Sequence, residues 1–129
     1  MADWQDGFAQ LHITDAPLAP PHSPIAATSR IPLEIAASYR ARTRGLLGRD
    51  SVEGALLLTP ASSVHTFRMR FPIDVAHLSR DLTVLSVRTM RPGRLGAPRL
   101  RARHVLEAEA GAMARWGLLP GVRVAIGPR

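Results

Sequence analysis

The stretch from Ile73 to Arg88, IDVAHLSRDLTVLSVR, contains two apolar runs separated by a short polar segment. Both runs are rich in Val, Leu and Ile, and the branched residues among these are enriched in strands. The charged pair Arg80-Asp81 between them is typical of a tight turn. The stretch therefore predicts a β-hairpin, to which other segments of the chain could add strands.

Other short segments on both sides of this hairpin also have strand character. They are bounded by Gly or Pro, or they alternate apolar with polar residues. The further strand candidates are FAQLHI (8–13), IPLEIAA (31–37), GALLLTP (54–60), RHVLEAE (103–109) and VRVAI (122–126). The segment VHTFRM (64–69) is predicted to form another hairpin with Ile73–Leu78, which turns at Phe71 and sets Arg68 opposite Asp74.

Two segments have helical character instead. SYRARTRGLLGR (38–49) has Ser38 as a candidate N-cap and Gly48 as a candidate end in the left-handed conformation. GAMARWGLL (111–119) predicts one or two turns that stop at Gly117. Many short strands with two short helices predict a mainly β fold, either a compact β-sandwich or a barrel-like domain.

The length of 129 residues fits a single domain. Residues 14–30 hold four prolines and little apolar pattern, so we expect an N-terminal extension with a proline-rich connector over 1–30 and one β domain over 31–129. No run approaches the length of a membrane span, no signal peptide is visible, and the chain has no cysteine. Together these features favour a cytoplasmic protein.

The net charge is +7, and all 17 basic residues are arginine. Arginine suits phosphate and carboxylate partners, but a GC-rich genome would also enrich arginine together with Ala, Gly and Pro, and both explanations stay open. Six arginines are concentrated in and beside the Gly- and Pro-rich segment 88–103. They are Arg88, Arg91, Arg94, Arg99, Arg101 and Arg103. This loop could bind nucleic acid, although it lacks aromatic residues for stacking bases.

Four short motifs, taken in order, resemble the bacterial and archaeal domain-of-unknown-function family 192. They are RGLLGR (44–49), HTFRM with PIDV (65–75), HVLEAEAG (104–111) and GVRV (121–124). The positions that match the family are Gly45, Leu46, Arg49, Met69, Pro72, Asp74, Leu106, Glu107 and Gly111. The chain resembles a divergent member of this family, since Arg68 stands where the family usually has tryptophan. The resemblance implies a compact, mostly β fold and no settled reaction.

The candidate binding site combines three of these matching positions: Arg49, Asp74 and Glu107. A carboxylate beside a core needs a partner, so Asp74 is expected to lie near Arg68 or Arg49. Arg68 and His104 complete the set of candidate ligand-binding residues. An alternative is that Asp74 serves only as a structural brace. Another is that Asp74 and Glu107 form an acid–base pair around a water molecule.

The sequence favours a non-catalytic binding or accessory module for a small anionic ligand or an acidic protein surface. No nucleophile motif, phosphate-binding glycine loop or metal-ligand spacing is present, so we predict no catalytic residue, cofactor or metal. The alternatives are a hydrolase-like enzyme that uses Asp74 and Glu107, and a nucleic-acid binder that uses the 88–103 loop.

Overall fold

The computed structural model describes residues 4–15 and 30–129. Within these residues it contains seven strands and two short helices. In chain order they are β1 (Gly7–Asp15), β2 (Ile31–Ala36), α1 (Tyr39–Arg44), β3 (Ala55–Leu58), β4 (Ile73–Leu78), β5 (Val84–Met90), β6 (His104–Glu109), α2 (Ala112–Trp116) and β7 (Arg123–Gly127). The predicted proline-rich connector lies mostly at 16–29, outside the described residues.

The strands form one curled sheet in the order β5-β4-β6-β3-β2-β1-β7. Only β2 and β3 pair in parallel, across the connection that contains α1. The start of β5 also reaches the far edge of the sheet. Val84 N–H donates to the Val122 carbonyl at 2.7 Å, and Thr83, just before the strand, bridges Arg123 of β7. The sheet is therefore a half-barrel, and the mainly β prediction with two short helices is confirmed, in its barrel-like form.

The inner face of the half-barrel carries the larger core. Each of the seven strands contributes at least one buried apolar side chain to this core. Met113 of α2 and Leu118 pack into the same cluster. The strand residues of this cluster are Leu11, Ile13, Ile31, Leu33, Ala55, Leu57, Ala76, Leu78, Val84, Leu106, Ala108 and Val124. Because side chains alternate along a strand, the intervening residues point to the outer face.

A second core lies on the outer face of five neighbouring strands, which follow the sheet order β5-β4-β6-β3-β2. Its strand residues include Leu56, Ile73 and Val105, and it is covered by Leu46 after α1 and by Met69. Strand β4 is consequently buried on both faces, since all six of its residues are inaccessible. A sheet strand buried on both sides has a continuous apolar sequence rather than an alternating one, which is the pattern seen in IDVAHL.

Strand β1 precedes the domain boundary expected near Ile31. It lies between β2 and β7, paired with both, and its Leu11 is completely buried in the inner core. The segment Gly7–Asp15 is therefore an interior strand of the half-barrel.

The predicted hairpin over 64–78 is wrong, because residues 64–71 form no strand. Met69 N–H donates to the Thr66 carbonyl at 3.1 Å, and Arg68 has a φ of +63°, so the chain turns at Arg68 instead of Phe71. The buried Thr66 explains the difference. Its hydroxyl accepts from Arg94 N–H at 2.8 Å, and its own N–H donates to the Arg94 carbonyl at 2.8 Å, so the segment binds the arginine-rich loop.

Both helices begin close to the predicted positions, and α2 also ends where predicted. Ser38 caps α1 by accepting a hydrogen bond from Ala41 N–H at 3.1 Å. The helix ends earlier than expected, at Arg44, and Gly48 has its positive φ of +80° in the turn that follows. Gly117 ends α2 in the left-handed conformation, as predicted.

Gly54 provides a test of how closely β2 and β3 approach. Its φ is +66°, and a Cβ at this position would lie 2.0 Å from the Pro32 carbonyl oxygen, which is backbone that cannot easily move. Gly93 is the control, because its φ is +80° but a Cβ there meets nothing within 4 Å. We expect Gly93→Ala to lower the free energy of unfolding by about 1–2 kcal/mol, from the left-handed backbone alone. Gly54→Ala should lower the same free energy by at least twice as much. Equal losses in thermal unfolding would contradict the close approach.

Candidate functional site

The sheet separates the two carboxylates of the predicted site. Asp74 of β4 lies opposite Ala108 of β6. Glu107 of β6 lies opposite Val75, the residue that follows Asp74 along β4. Since adjacent positions point to opposite faces, Asp74 lies on the inner face and Glu107 on the outer face. The two side chains have the sheet between them, so they cannot act together on one water molecule.

Asp74 is a structural brace between three elements. It is only 3 % exposed, and its Oδ1 accepts from the Thr89 hydroxyl of β5 at 2.7 Å. Its Oδ2 accepts from Gly111 N–H at 2.9 Å and Met113 N–H at 3.1 Å, at the start of α2. The carboxylate thus supplies the cap that Gly111, which has no side chain, cannot supply to the helix. Neither predicted arginine partner takes part in these bonds.

Glu107 is a buried acid on the outer face. It is 3 % exposed, and burial raises its pKa to about 7. A Cβ added at Gly45 would lie 3.7 Å from Glu107 Oε1, so the carboxyl lies beneath the turn that follows α1. No hydrogen bond to Glu107 is present among the described residues. Burial without a hydrogen-bond donor therefore favours the protonated carboxyl over its charged form.

Arg49 has a different carboxylate partner from the one predicted. Its guanidinium donates to Glu34 through two parallel bonds, Nη1 to Oε1 at 3.0 Å and Nη2 to Oε2 at 2.9 Å. This bidentate pair is half-exposed on the outer face and raises the pKa of Arg49 through the Glu34 hydrogen bond. Arg49 and Glu107 are consequently on the same face, but the arginine is already paired.

The remaining two predicted residues lie apart from this group. Arg68 is exposed at its turn, on the segment that covers the outer face. His104 is buried on the inner face, where its Nδ1 lies 2.7 Å from the Thr59 hydroxyl and its ring contacts Trp4 edge-on at 5.4 Å. Burial lowers the pKa of His104. The five predicted residues therefore do not converge on one pocket.

A cleft of about 550 Å³ lies between the outer face of the β4–β5 pair and the arginine-rich loop. We call it the arginine cleft. Its strand side includes Val75 and His77 of β4, and its loop side is formed by residues 96–101. Three of its lining residues are arginines: Arg88, Arg99 and Arg101. Its volume is typical of sites for small molecules.

His77 is the buried polar side chain of the arginine cleft. It is 7 % exposed, and its Nδ1 lies 3.2 Å from the Ser86 hydroxyl on the paired strand. Its Nε2 has no hydrogen-bond partner among the described residues. Burial lowers the pKa of His77, and the positive charges of Arg99 and Arg88 lower it further, against the opposing effect of the Ser62 backbone carbonyl.

The charge around this cleft is uniformly positive. The ion pairs among the described residues involve Arg49, Arg70 and Arg123, and none reaches Arg88, Arg99 or Arg101. Between Asp81 and Glu107 the sequence contains six arginines and no carboxylate. An anion that enters the cleft would therefore meet exposed guanidinium groups without displacing an internal partner.

The sequence pointed to the arginine-rich loop but not to His77 as a site residue. The available signal was a histidine inside a continuous apolar strand, where a polar ring needs either a partner or a function. Among the described residues, no cluster of three or more His, Asp or Glu side chains is placed to hold a metal ion. No helix within 4–15 and 30–129 is long and apolar enough to cross a membrane.

The fold and its sites define a small half-barrel domain with a basic surface cleft. Residues 23–126 match the sequence model of domain-of-unknown-function family 192, described as Uncharacterized ACR. The chain belongs to this family, as the resemblance had indicated. Strand β1 lies outside the matched residues.

Relatives and solved structures agree with this placement. The UPF0127 proteins of Pyrococcus abyssi and Pyrococcus horikoshii are each 31 % identical over 84 residues, covering 61 % of this chain and 72 % and 73 % of theirs. A proposed transcription regulator of Sinorhizobium meliloti superposes with a TM-score of 0.74 at 18 % identity, over 97 % of this chain and 98 % of that one. A protein of unknown function from Novosphingobium aromaticivorans gives a TM-score of 0.66 at 18 % identity, over 93 % and 84 %.

Removal of the Asp74 carboxylate should destabilise the fold. Asp74→Ala leaves two backbone N–H groups and the Thr89 hydroxyl without their acceptor, and we expect a loss of roughly 2–4 kcal/mol in the free energy of unfolding. Asp50→Ala is the control, because Asp50 forms only an exposed pair with Arg70 and should change stability by less than about 1 kcal/mol. Denaturant unfolding measures both. An unchanged Asp74→Ala would rule out the brace.

Glu107 should make stability fall as the pH rises. Its folded pKa of about 7 lies above the ordinary value of 4.5, so the folded state holds its proton more tightly than the unfolded chain. The resulting stability is complete below pH 4.5 and is lost as the pH rises through 7, by roughly 3 kcal/mol at most. Glu107→Gln should therefore match the parent at pH 4.5 and exceed it in Tm at pH 8.5. Glu109→Gln, at an exposed position, is the control, and a pH-independent difference for Glu107→Gln would contradict this account.

Proposed function

We propose that this protein is a non-catalytic binding module for a small anionic ligand, which it holds in the arginine cleft. The proposal keeps the ligand class expected from the sequence but moves the site away from Arg49, Asp74 and Glu107. One observation carries it. Three arginines that pair with no carboxylate of the described residues line one cleft, and the buried His77 borders it.

The chemistry of these groups suits a carboxylate or phosphate. A guanidinium presents several N–H donors in a fixed plane and binds such oxyanions through charge-assisted bonds. Arg88 projects from β5, while Arg99 and Arg101 come from the loop, so the donors approach from two sides. His77 and Ser86 add neutral hydrogen-bonding groups on the strand side.

The enzyme alternative loses its proposed pair of carboxylates. Asp74 makes three structural hydrogen bonds on the inner face, and Glu107 lies under Gly45 on the outer face. Neither carboxyl lines the arginine cleft. Binding in the arginine cleft requires neither of these carboxyl groups.

Nucleic acid and acidic proteins remain alternative partners for the same arginines. The Sinorhizobium meliloti protein is described as a proposed transcription regulator, and at 18 % identity its likeness to this chain concerns the fold. We favour a small ligand because the arginines border a concave site, whereas a nucleic-acid backbone would suit an open stripe. A gel shift at physiological salt should show no retention of DNA or RNA.

Binding of three probes tests the proposal. Inorganic phosphate, citrate and octanoate are titrated into the full chain in 0.15 M NaCl and followed by calorimetry. We expect a Kd below 1 mM for at least one probe in the parent protein. The double variant Arg99→Gln, Arg101→Gln should weaken that binding at least tenfold, since each charge-assisted bond contributes about 1.5–3 kcal/mol.

The control is the double variant Arg40→Gln, Arg115→Gln, which removes the same charge from exposed positions outside the cleft. It should stay within about twofold of the parent, because distant exposed charges are screened at this ionic strength. Failure of all three probes to bind would overturn the proposal. Equal weakening in both double variants would also overturn it, since only the net charge would then matter.

A further inference from the structure

We infer that the ligand of the arginine cleft is an amphipathic organic anion, with one acidic head and an unbranched or flat apolar body. The inference rests on the proposed anion site and adds the class of compound. It follows from the way polar and apolar side chains are distributed along the cleft.

One end of the cleft is apolar. Met90 is the last residue of β5, and the loop residue Gly96 lies against it, since a Cβ at Gly96 would be 3.5 Å from Met90 Cε and 3.0 Å from Val64 Cγ1. Val64 and Met90 both belong to the outer-face core. This end of the cleft is thus continuous with the core and offers an anion no side-chain donor.

The other end is polar. Ser86 lies four residues before Met90 on β5 and pairs with His77 in register. The loop passes beside this pair. Arg99 N–H donates to the Ser62 carbonyl at 3.1 Å. After burial, which lowers the pKa of His77 most, the charge of Arg99 lowers it and the Ser62 carbonyl raises it, so both lie near the ring. Hydrogen-bonding groups at this end of the cleft are therefore His77, Ser86 and Arg99, and Arg88 adds a further donor in the middle.

Arg88 and Val75 form the middle of the cleft, where they are paired in register. Side chains of Ser86, Arg88 and Met90 share the outer face, so they follow one another along the cleft. Four residues of an extended strand span roughly 13 Å. A head group at His77 and Arg99 would therefore leave its apolar body to lie past Val75 toward Val64 and Met90.

This arrangement distinguishes an amphipathic anion from an inorganic one. Phosphate or sulfate would satisfy only the polar end and would leave the apolar end in water. A hydrocarbon body would cover that end and gain affinity with each methylene that it buries, by about fourfold in Kd for each. The gain stops when the body exceeds the length of the cleft.

A series of straight-chain carboxylates measures this directly. Butyrate, hexanoate and octanoate, together with inorganic phosphate and octanol, are titrated into the full chain by calorimetry. We expect Kd to fall two- to fourfold per methylene from butyrate to octanoate. Phosphate should bind more weakly than octanoate, and octanol should bind at least tenfold more weakly than octanoate because it lacks the charged head.

Two variants locate the apolar body. Val64→Thr adds a hydroxyl at the apolar end with little change in volume, and Ala97→Gln adds a polar side chain at an exposed lining position. Both should reduce the dependence of Kd on chain length, with a larger loss of affinity for octanoate than for butyrate. Ala114→Gln, on the exposed side of α2, should change neither quantity.

The outcomes separate this inference from the proposed function. If phosphate and octanoate bind equally and chain length has no effect, the ligand is an anion but not an amphipathic one, and this inference fails alone. If no anion binds, the proposed function fails and the inference with it. If octanol binds as tightly as octanoate, the acidic head is not recognised and the inference is overturned.

Discussion

Burial of the central strands on both faces is the constraint on which the rest of the structure depends. Every residue of β4 and nearly every residue of the adjacent β6 is inaccessible to solvent. The curl of the sheet encloses the inner face, but the outer face needs separate cover. The segments after β2, before β4 and after β5 supply this cover, since each contributes to the outer core or lies against it. The long irregular connections of this small domain therefore have a packing role.

The same constraint decides the fate of each carboxylate in the central strands. A charged group inside a two-sided core is costly unless hydrogen bonds replace its hydration. Asp74 faces inward, where three donors meet it, and those bonds join β4 to β5 and to the start of α2. Glu107 faces outward beneath Gly45, and burial without such donors raises its pKa to about 7. Two acidic residues at positions that match the family therefore differ in their surroundings, since Asp74 accepts three hydrogen bonds and Glu107 accepts none from the described residues.

The arginine cleft is a consequence of incomplete cover at the β5 edge. Backbone hydrogen bonds join the loop that follows β5 to Thr66, Val64 and Ser62. The cleft lies between residues 96–101 of this loop and the outer face of β4 and β5 at Val75 and His77. Its high arginine content has two available explanations from the sequence, codon usage and ligand recognition. Three of these arginines border the cleft, and none of them forms an ion pair with another described residue.

The sequence by itself determined the strands and helices that local patterns specify. Apolar runs marked β2 to β7, Arg80-Asp81 marked the turn between β4 and β5, and Ser38 and Gly117 marked helix ends, because each of these depends on residues within a few positions. It failed at 64–71, where an apparent strand is held instead by Thr66 to a loop about 28 residues away.

Only the tertiary structure decided which face each polar side chain takes and what lies opposite it. A shift of one residue in a strand reverses its faces, and so the motifs could place Asp74 and Glu107 in neighbouring strands without revealing that the sheet separates them. The same holds for His77, whose partners come from β5 and from the arginine-rich loop. Those pairings are set by packing across the whole domain, and no local pattern in the chain records them.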